Sequence, residues 1–204
     1  MRFKAILHRC VNLPEPFKSE IFPPQLHGLL AERKNIGEIL TLANKRELIF
    51  LIAILRNLLT PKEYGHLLVE QWNYSENPGC TYGKDTPKLW EGIPREFMMT
   101  KGEMQIYESL LDVVTIYRGV SSIKKGRDRV IRGFSWTIDK EKGKWFALRY
   151  THDGLFITAT IPKEHIIFYC DDRKEQEIVV NPKFLKIKSK EIVKNESPQT
   201  TSLF

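Results

Sequence analysis

Residues 155–188 read LFITATIPKEHIIFYCDDRKEQEIVVNPKFLKIK, and their spacing decides the fold. Four short runs rich in β-branched and aromatic residues are divided by turn-forming ones: Leu155 to Ile161, Ile166 to Cys170, Glu177 to Val180 and Phe184 to Lys188. That is the pattern of successive sheet strands. Upstream, Val113 to Arg118 and Val130 to Thr137 read as two more strands. Thr137 is then placed to cap a helix from Ile138 to about Tyr150, with Asp139 in its first turn.

The first half carries helical signals instead. Residues 44 to 59 contain the apolar run Leu48 to Leu55. Thr60-Pro61-Lys62-Glu63 combines an N-cap threonine, a proline in the first turn and a glutamate that can bond back, so a helix to about Trp72 is expected. Residues 74 to 99 are rich in turn residues. Thr100-Lys101-Gly102-Glu103 repeats the box and opens a helix with apolar positions at Met104, Ile106, Tyr107, Leu110 and Leu111. The expected class is α+β: a helical N-terminal region over 1–112, a β-rich core over 113–188, and a polar tail over 189–204 without regular structure.

Hydrophobic residues make up 42% of the 204-residue chain and charged ones 28%, the balance of a globular protein. The apolar run from Leu48 to Leu55 is far short of the roughly 20 residues that span a membrane. The N-terminus lacks the apolar stretch and cleavage site of a secretory signal, so no membrane partner is expected. Cys10, Cys80 and Cys170 are widely spaced. They suggest neither a disulfide framework nor a zinc site, and a reducing, cytoplasmic setting is expected. Residues 116–204 hold 18 Lys+Arg against 11 Asp+Glu and carry the whole +7 excess. A basic half suits a polyanionic partner such as nucleic acid or a phosphate-rich cofactor.

Three local features carry chemistry. Tyr117-Arg118-Gly119 ends a strand: arginine donates two parallel hydrogen bonds to a phosphate, and glycine permits close backbone approach. In Phe134-Ser135-Trp136-Thr137 the two hydroxyls share one face of an extended segment and can orient a carboxylate and a ribose. Asp171-Asp172-Arg173-Lys174-Glu175-Gln176-Glu177 precedes a β-branched strand. Extended chain would put Glu175 and Glu177 on one face, where paired carboxylates can stabilise an oxocarbenium ion and accept a proton. Taken singly, each has an ordinary reading as a surface cation, a helix cap or a polar turn.

The order Arg, Ser-x-Thr, Glu-x-Glu resembles the R-S-E class of ADP-ribosyltransferases, the group that includes arginine-modifying bacterial toxins and several bacteriophage enzymes. The resemblance covers roughly residues 113 to 188. The class's usual Ser-Thr-Ser appears here as Ser-Trp-Thr. The resemblance implies two packed β-sheets around an NAD cleft, with NAD as a substrate and no metal. It implies that Arg118 holds the NAD pyrophosphate and that Ser135 positions Glu177. Glu177 would bind the nicotinamide ribose and stabilise the cation left when nicotinamide departs, and Glu175 would orient or deprotonate the acceptor. Tyr117, Gly119, Trp136, Thr137 and Phe146 would complete the NAD site. Phe168 and Tyr169 are candidate acceptor contacts, as are Lys124, Lys125 and Arg127, which cluster with Arg129 and Arg132.

By that resemblance the chain is a mono-ADP-ribosyltransferase similar to toxins of toxin–antitoxin or phage-defence systems. Its acceptor would be RNA, mRNA included, and an antitoxin or other inhibitory protein would be its partner. Three alternatives stand beside this reading. They are transfer to protein arginine, an NAD glycohydrolase, and a catalytically inactive module that binds nucleic acid or a protein partner.

Overall fold

The computed structural model describes residues 48–75, 83–121 and 131–195. Within them the apolar run forms helix α1 (Leu48–Leu55), followed by a 3₁₀ turn over Arg56–Leu58. Helix α2 (Pro61–Tyr74) begins at the expected box: Thr60 Oγ1 accepts from Glu63 N at 3.2 Å, and the Glu63 carboxylate accepts from Thr60 N at 2.8 Å. These helices bury Leu51, Ile52, Leu55, Leu67, Leu68 and Trp72. They lie in one compact unit, Met1–Met98.

The second unit, Met99–Phe204, starts with helix α3 (Lys101–Ser109), opened by the second capping box. Here the glutamate has a further duty. Glu103 is buried. One carboxylate oxygen accepts from Thr100 N and Thr100 Oγ1, both at 2.7 Å, and the other accepts from Asp171 N at 3.1 Å. The capping residue of α3 thereby anchors the far end of the acidic run. At the other end of α3, Lys163 Nζ donates to the carbonyls of Glu108 at 2.7 Å and Leu110 at 3.1 Å.

Six strands follow: β1 (Val113–Val120), β2 (Ser135–Thr137), β3 (Asp153–Pro162), β4 (Ile166–Cys170), β5 (Glu177–Val180) and β6 (Lys186–Lys194). They form a single six-stranded sheet in the order β4-β5-β2-β1-β3-β6, and every pairing is antiparallel. The α+β class is as expected, but the two packed sheets are not what the described residues form. The reason is β2, which pairs with β5 on one side and β1 on the other and so joins the two halves.

Several boundaries differ from the sequence reading: β1 runs on past Arg118 to Val120, α3 stops at Ser109 short of Leu110 and Leu111, and β6 begins at Lys186 because Pro182–Phe184 forms a 3₁₀ turn. The strand expected over Val130–Thr137 is regular only from Ser135; the Trp136 indole donates to the Gly133 carbonyl at 2.7 Å, and Val130 lies outside the described residues. The helix expected over 138–150 is α4 (Lys140–Leu148). Its N-cap is Asp139, whose carboxylate accepts from Glu141 N and Lys142 N at 2.8 and 3.1 Å. The polar segment from Ser189 is not an unstructured tail as far as Lys194 but the second half of β6, which pairs with β3 throughout. Its exposed lysines suit an edge strand, where charge discourages pairing with another chain; residues 196–204 lie outside the described residues.

Helix α4 rests directly on β1 and β3. A methyl group at Gly119 would stand 2.1 Å from Ala147 N, and one at Gly154 would stand 2.0 Å from the Ala147 carbonyl oxygen. Gly119 thus meets the helix backbone, where the sequence suggested approach to a ligand. The difference between the two capping boxes is testable by urea denaturation. Glu63→Ala, at an exposed helix start, should cost about 0.5–1 kcal/mol. Glu103→Ala, which strips a buried acceptor from three donors, should cost about 2–3 kcal/mol. Equal costs would contradict the anchoring role of Glu103.

Candidate functional site

The site lies where β1 and β2 part. These strands pair only at Tyr117 and Thr137, and the ladder does not continue to Gly119 and Ser135. Arg118 fills the gap: its Nη1 donates to the Ser135 carbonyl. Its guanidinium lies against Gly133, where a methyl group would stand 2.4 Å from Nη2. Burial pulls the Arg118 pKa down to about 10, while the neighbouring Glu177 carboxylate pushes it back up. Arg118 is therefore a half-buried cation at neutral pH, with the Glu177 carboxylate as its compensating charge.

Glu177 begins β5. It is only 7% exposed, lies across from Thr137 on β2 and from Cys170 on β4, and accepts from Arg173 Nη2 at 3.4 Å. Glu175 is brought beside it by a turn, not by extended chain as the sequence suggested. Lys174 and Gln176 have φ of 55° and 47°, left-handed values that non-glycine residues seldom adopt. Backbone and side-chain bonds hold this turn. Lys174 N and Gln176 N donate to the Asp171 carbonyl and carboxylate, both at 2.9 Å. Thr137 Oγ1 donates to the Glu175 carbonyl at 2.7 Å, and Ile138 N donates to the Gln176 carbonyl at 3.2 Å.

The hydroxyl that organises the acidic turn is therefore that of Thr137. Ser135 lies across from Val179, and its carbonyl is the group that Arg118 engages. Glu103, Cys170 and Asp172 also bring ligand-type atoms within 4.8 Å of one another. Both Glu103 oxygens are already engaged by Thr100 and Asp171 N, so we read this cluster as the anchor of the turn.

These residues enclose a cavity of about 310 Å³, within the size range of small-molecule clefts. Its lining brings together Tyr117, Arg118, Gly119, Ser135, Trp136, Thr137, Phe146, Glu175 and Glu177, all of them candidates from the sequence. Tyr117 is backed by Phe156, with stacked rings 5.7 Å apart. Arg149 and Arg173 also line the cavity and were not singled out in the sequence. The signal for Arg173 was its spacing, a cation two and four residues before the paired carboxylates. Arg149 lies just past α4 against Trp145, at 4.9 Å from the ring centroid, and it had no local signal.

Other candidates fall elsewhere. Phe168 and Tyr169 are 0% and 1% exposed, so they are core side chains of β4 and cannot contact an acceptor. Burial, aided by Asp171 and Glu103, pushes the Tyr169 hydroxyl up to about 12. Arg132 donates to the Leu185 carbonyl at 3.2 Å. Lys124, Lys125, Arg127 and Arg129 lie outside the described residues. Comparison of the chain with protein-family models, with curated proteins and with solved structures gives no match, so the functional reading rests on this geometry and on the order of the motifs.

A double-mutant cycle tests the coupling of Arg118 to Glu177. Arg118→Met leaves the Glu177 carboxylate with Arg173 as its cation and removes the bond to the Ser135 carbonyl, and should cost about 1–2 kcal/mol. Combined with Glu177→Gln, it should cost less than the sum of the two single losses, by roughly 1–3 kcal/mol of coupling. Strict additivity in urea denaturation would contradict electrostatic coupling between Arg118 and Glu177.

Proposed function

We propose that the chain is an NAD-dependent mono-ADP-ribosyltransferase. One observation carries this reading: Arg118, Ser135, Glu175 and Glu177, distant in sequence, line a single cavity of ligand size. Arg118 supplies positive charge at the cavity wall for the NAD diphosphate. Glu177, held by Arg173 and set across from Thr137, accepts the 2′-hydroxyl of the nicotinamide ribose. Its negative charge then stabilises the ribosyl cation as the bond to nicotinamide breaks and the electron pair leaves with nicotinamide. Tyr117, Trp136 and Phe146 supply apolar wall for the nicotinamide ring. Glu175, the more exposed of the two carboxylates, takes the proton that the acceptor loses as its nitrogen bonds to the anomeric carbon.

The geometry favours a guanidinium as acceptor. Arg173 Nη2 stands 2.8 Å from a Glu175 oxygen and 3.4 Å from a Glu177 oxygen, so the paired carboxylates can seat a guanidinium nitrogen. RNA is the second reading, favoured by the +7 excess on the second half of the chain. No helix among the described residues is long and apolar enough to cross a membrane.

The test is to incubate the purified chain with labelled NAD and a cell lysate, wild type beside Glu175→Ala. Wild type should give a macromolecular label that protease removes and nuclease spares. Glu175→Ala should lower that label about 100-fold, the scale of lost general-base catalysis, while nicotinamide release continues. Label removed by nuclease would identify RNA as the acceptor. Nicotinamide release without macromolecular label would identify a glycohydrolase. No label and no nicotinamide release would overturn the enzymatic reading and leave a binding module.

A further inference from the structure

We propose that Arg173 is itself an acceptor: the chain transfers an ADP-ribosyl group from NAD to its own Arg173 guanidinium, within one molecule. This inference rests on the transferase reading above.

The contact that points to it is not an ordinary surface ion pair. The Glu175 and Glu177 side chains are 19% and 9% exposed, whereas that of Arg173 is 50% exposed. The half-exposed guanidinium therefore sits against two sheltered carboxylates, and all three side chains line the same cavity. The turn supports this placement. Left-handed Lys174 and Gln176 reverse the chain on either side of Glu175, at a cost of about 1–2 kcal/mol each. Asp171 and Thr137 hold the turn by hydrogen bonds at both ends. A turn so braced presents Arg173 to the carboxylates in the folded chain without help from a partner.

The chemistry then follows from proximity. A ribose whose 2′-hydroxyl donates to Glu177 has its anomeric carbon two bonds from that hydroxyl oxygen. Arg173 Nη2 stands 3.4 Å from Glu177 Oε2, so a ribose bound there would bring that carbon within its reach. The bond from the anomeric carbon to the nicotinamide nitrogen breaks, and its electron pair leaves with nicotinamide. A new bond forms from Arg173 Nη2 to the same carbon, and the proton lost from Nη2 passes to Glu175, 2.8 Å away. NAD is the only co-reactant. Because nucleophile and base are held in one turn, the step is unimolecular in protein.

The experiment uses the full chain with NAD alone. Nicotinamide release is followed beside intact-mass spectrometry and a tryptic peptide map. The expected result is a single ADP-ribosyl group per chain, located on Arg173, with loss of tryptic cleavage after that residue. The rate per chain should be unchanged on dilution, and Arg173→Lys should lose the modification. Nicotinamide release with an unmodified Arg173 peptide would overturn this inference and leave the transferase reading standing. Label retained at full stoichiometry in Arg173→Lys, or a rate that falls with dilution, would also overturn it. No nicotinamide release from wild type would overturn both.

Discussion

A charged guanidinium held half-buried between two parting strands is the constraint on which the site of the second unit depends. Arg118 supplies a donor to a strand carbonyl, that of Ser135, at the point where β1 no longer pairs with β2. A buried cation is costly unless it is hydrogen-bonded and compensated. Glu177 compensates it from a sheltered position. The gap between the strands, the cation that bridges it and the carboxylate that balances the cation are one arrangement. The cavity is the space this arrangement leaves open. A site built this way holds its charges before any ligand arrives, which is what electrostatic stabilisation of a developing cation requires.

The acidic turn extends the same logic outward. Its left-handed residues are unfavourable in isolation, and such conformations persist where surrounding bonds over-determine them. Here the bonds come from distant places: Thr137 on β2, Asp171 at the end of β4, and through Asp171 N the capping glutamate of α3. A helix cap and a candidate catalytic loop are therefore mechanically linked. Disturbing α3 at Glu103 should reach Glu175 through the turn, with no contact between Glu103 and the cavity.

Much of this was legible in the sequence where the signal was local. The Thr60 and Thr100 boxes start helices because capping depends on residues within one turn. The runs at Ile166–Cys170 and Glu177–Val180 became strands with the expected bounds, since both are buried and β-branched or aromatic. The cavity residues emerged because Ser135 and Glu177 each begin a strand and Arg118 lies two residues before the end of one. What failed depended on long-range pairing. Whether β2 joins two sheets or edges one is decided by its partners β1 and β5, which no local pattern encodes. The polar segment after Ser189 looked unstructured because an exposed edge strand has the composition of a loop. Phe168 and Tyr169 looked available because they adjoin the acidic run, yet both are held in the core of β4. Arg173 was read as part of a solvated turn because left-handed φ at Lys174 and Gln176 cannot be read from residue types that normally avoid it.

The most direct measurement of the central claim is NAD binding and nicotinamide release by wild type and Glu177→Gln, side by side. The exchange removes one charge at nearly constant shape. The account predicts NAD affinity within a few-fold of wild type and nicotinamide release slower by about 100- to 1,000-fold, the scale of a lost electrostatic stabiliser. Full nicotinamide release by Glu177→Gln would contradict the account, because the carboxylate at the end of the Arg118 gap would then have no part in the chemistry.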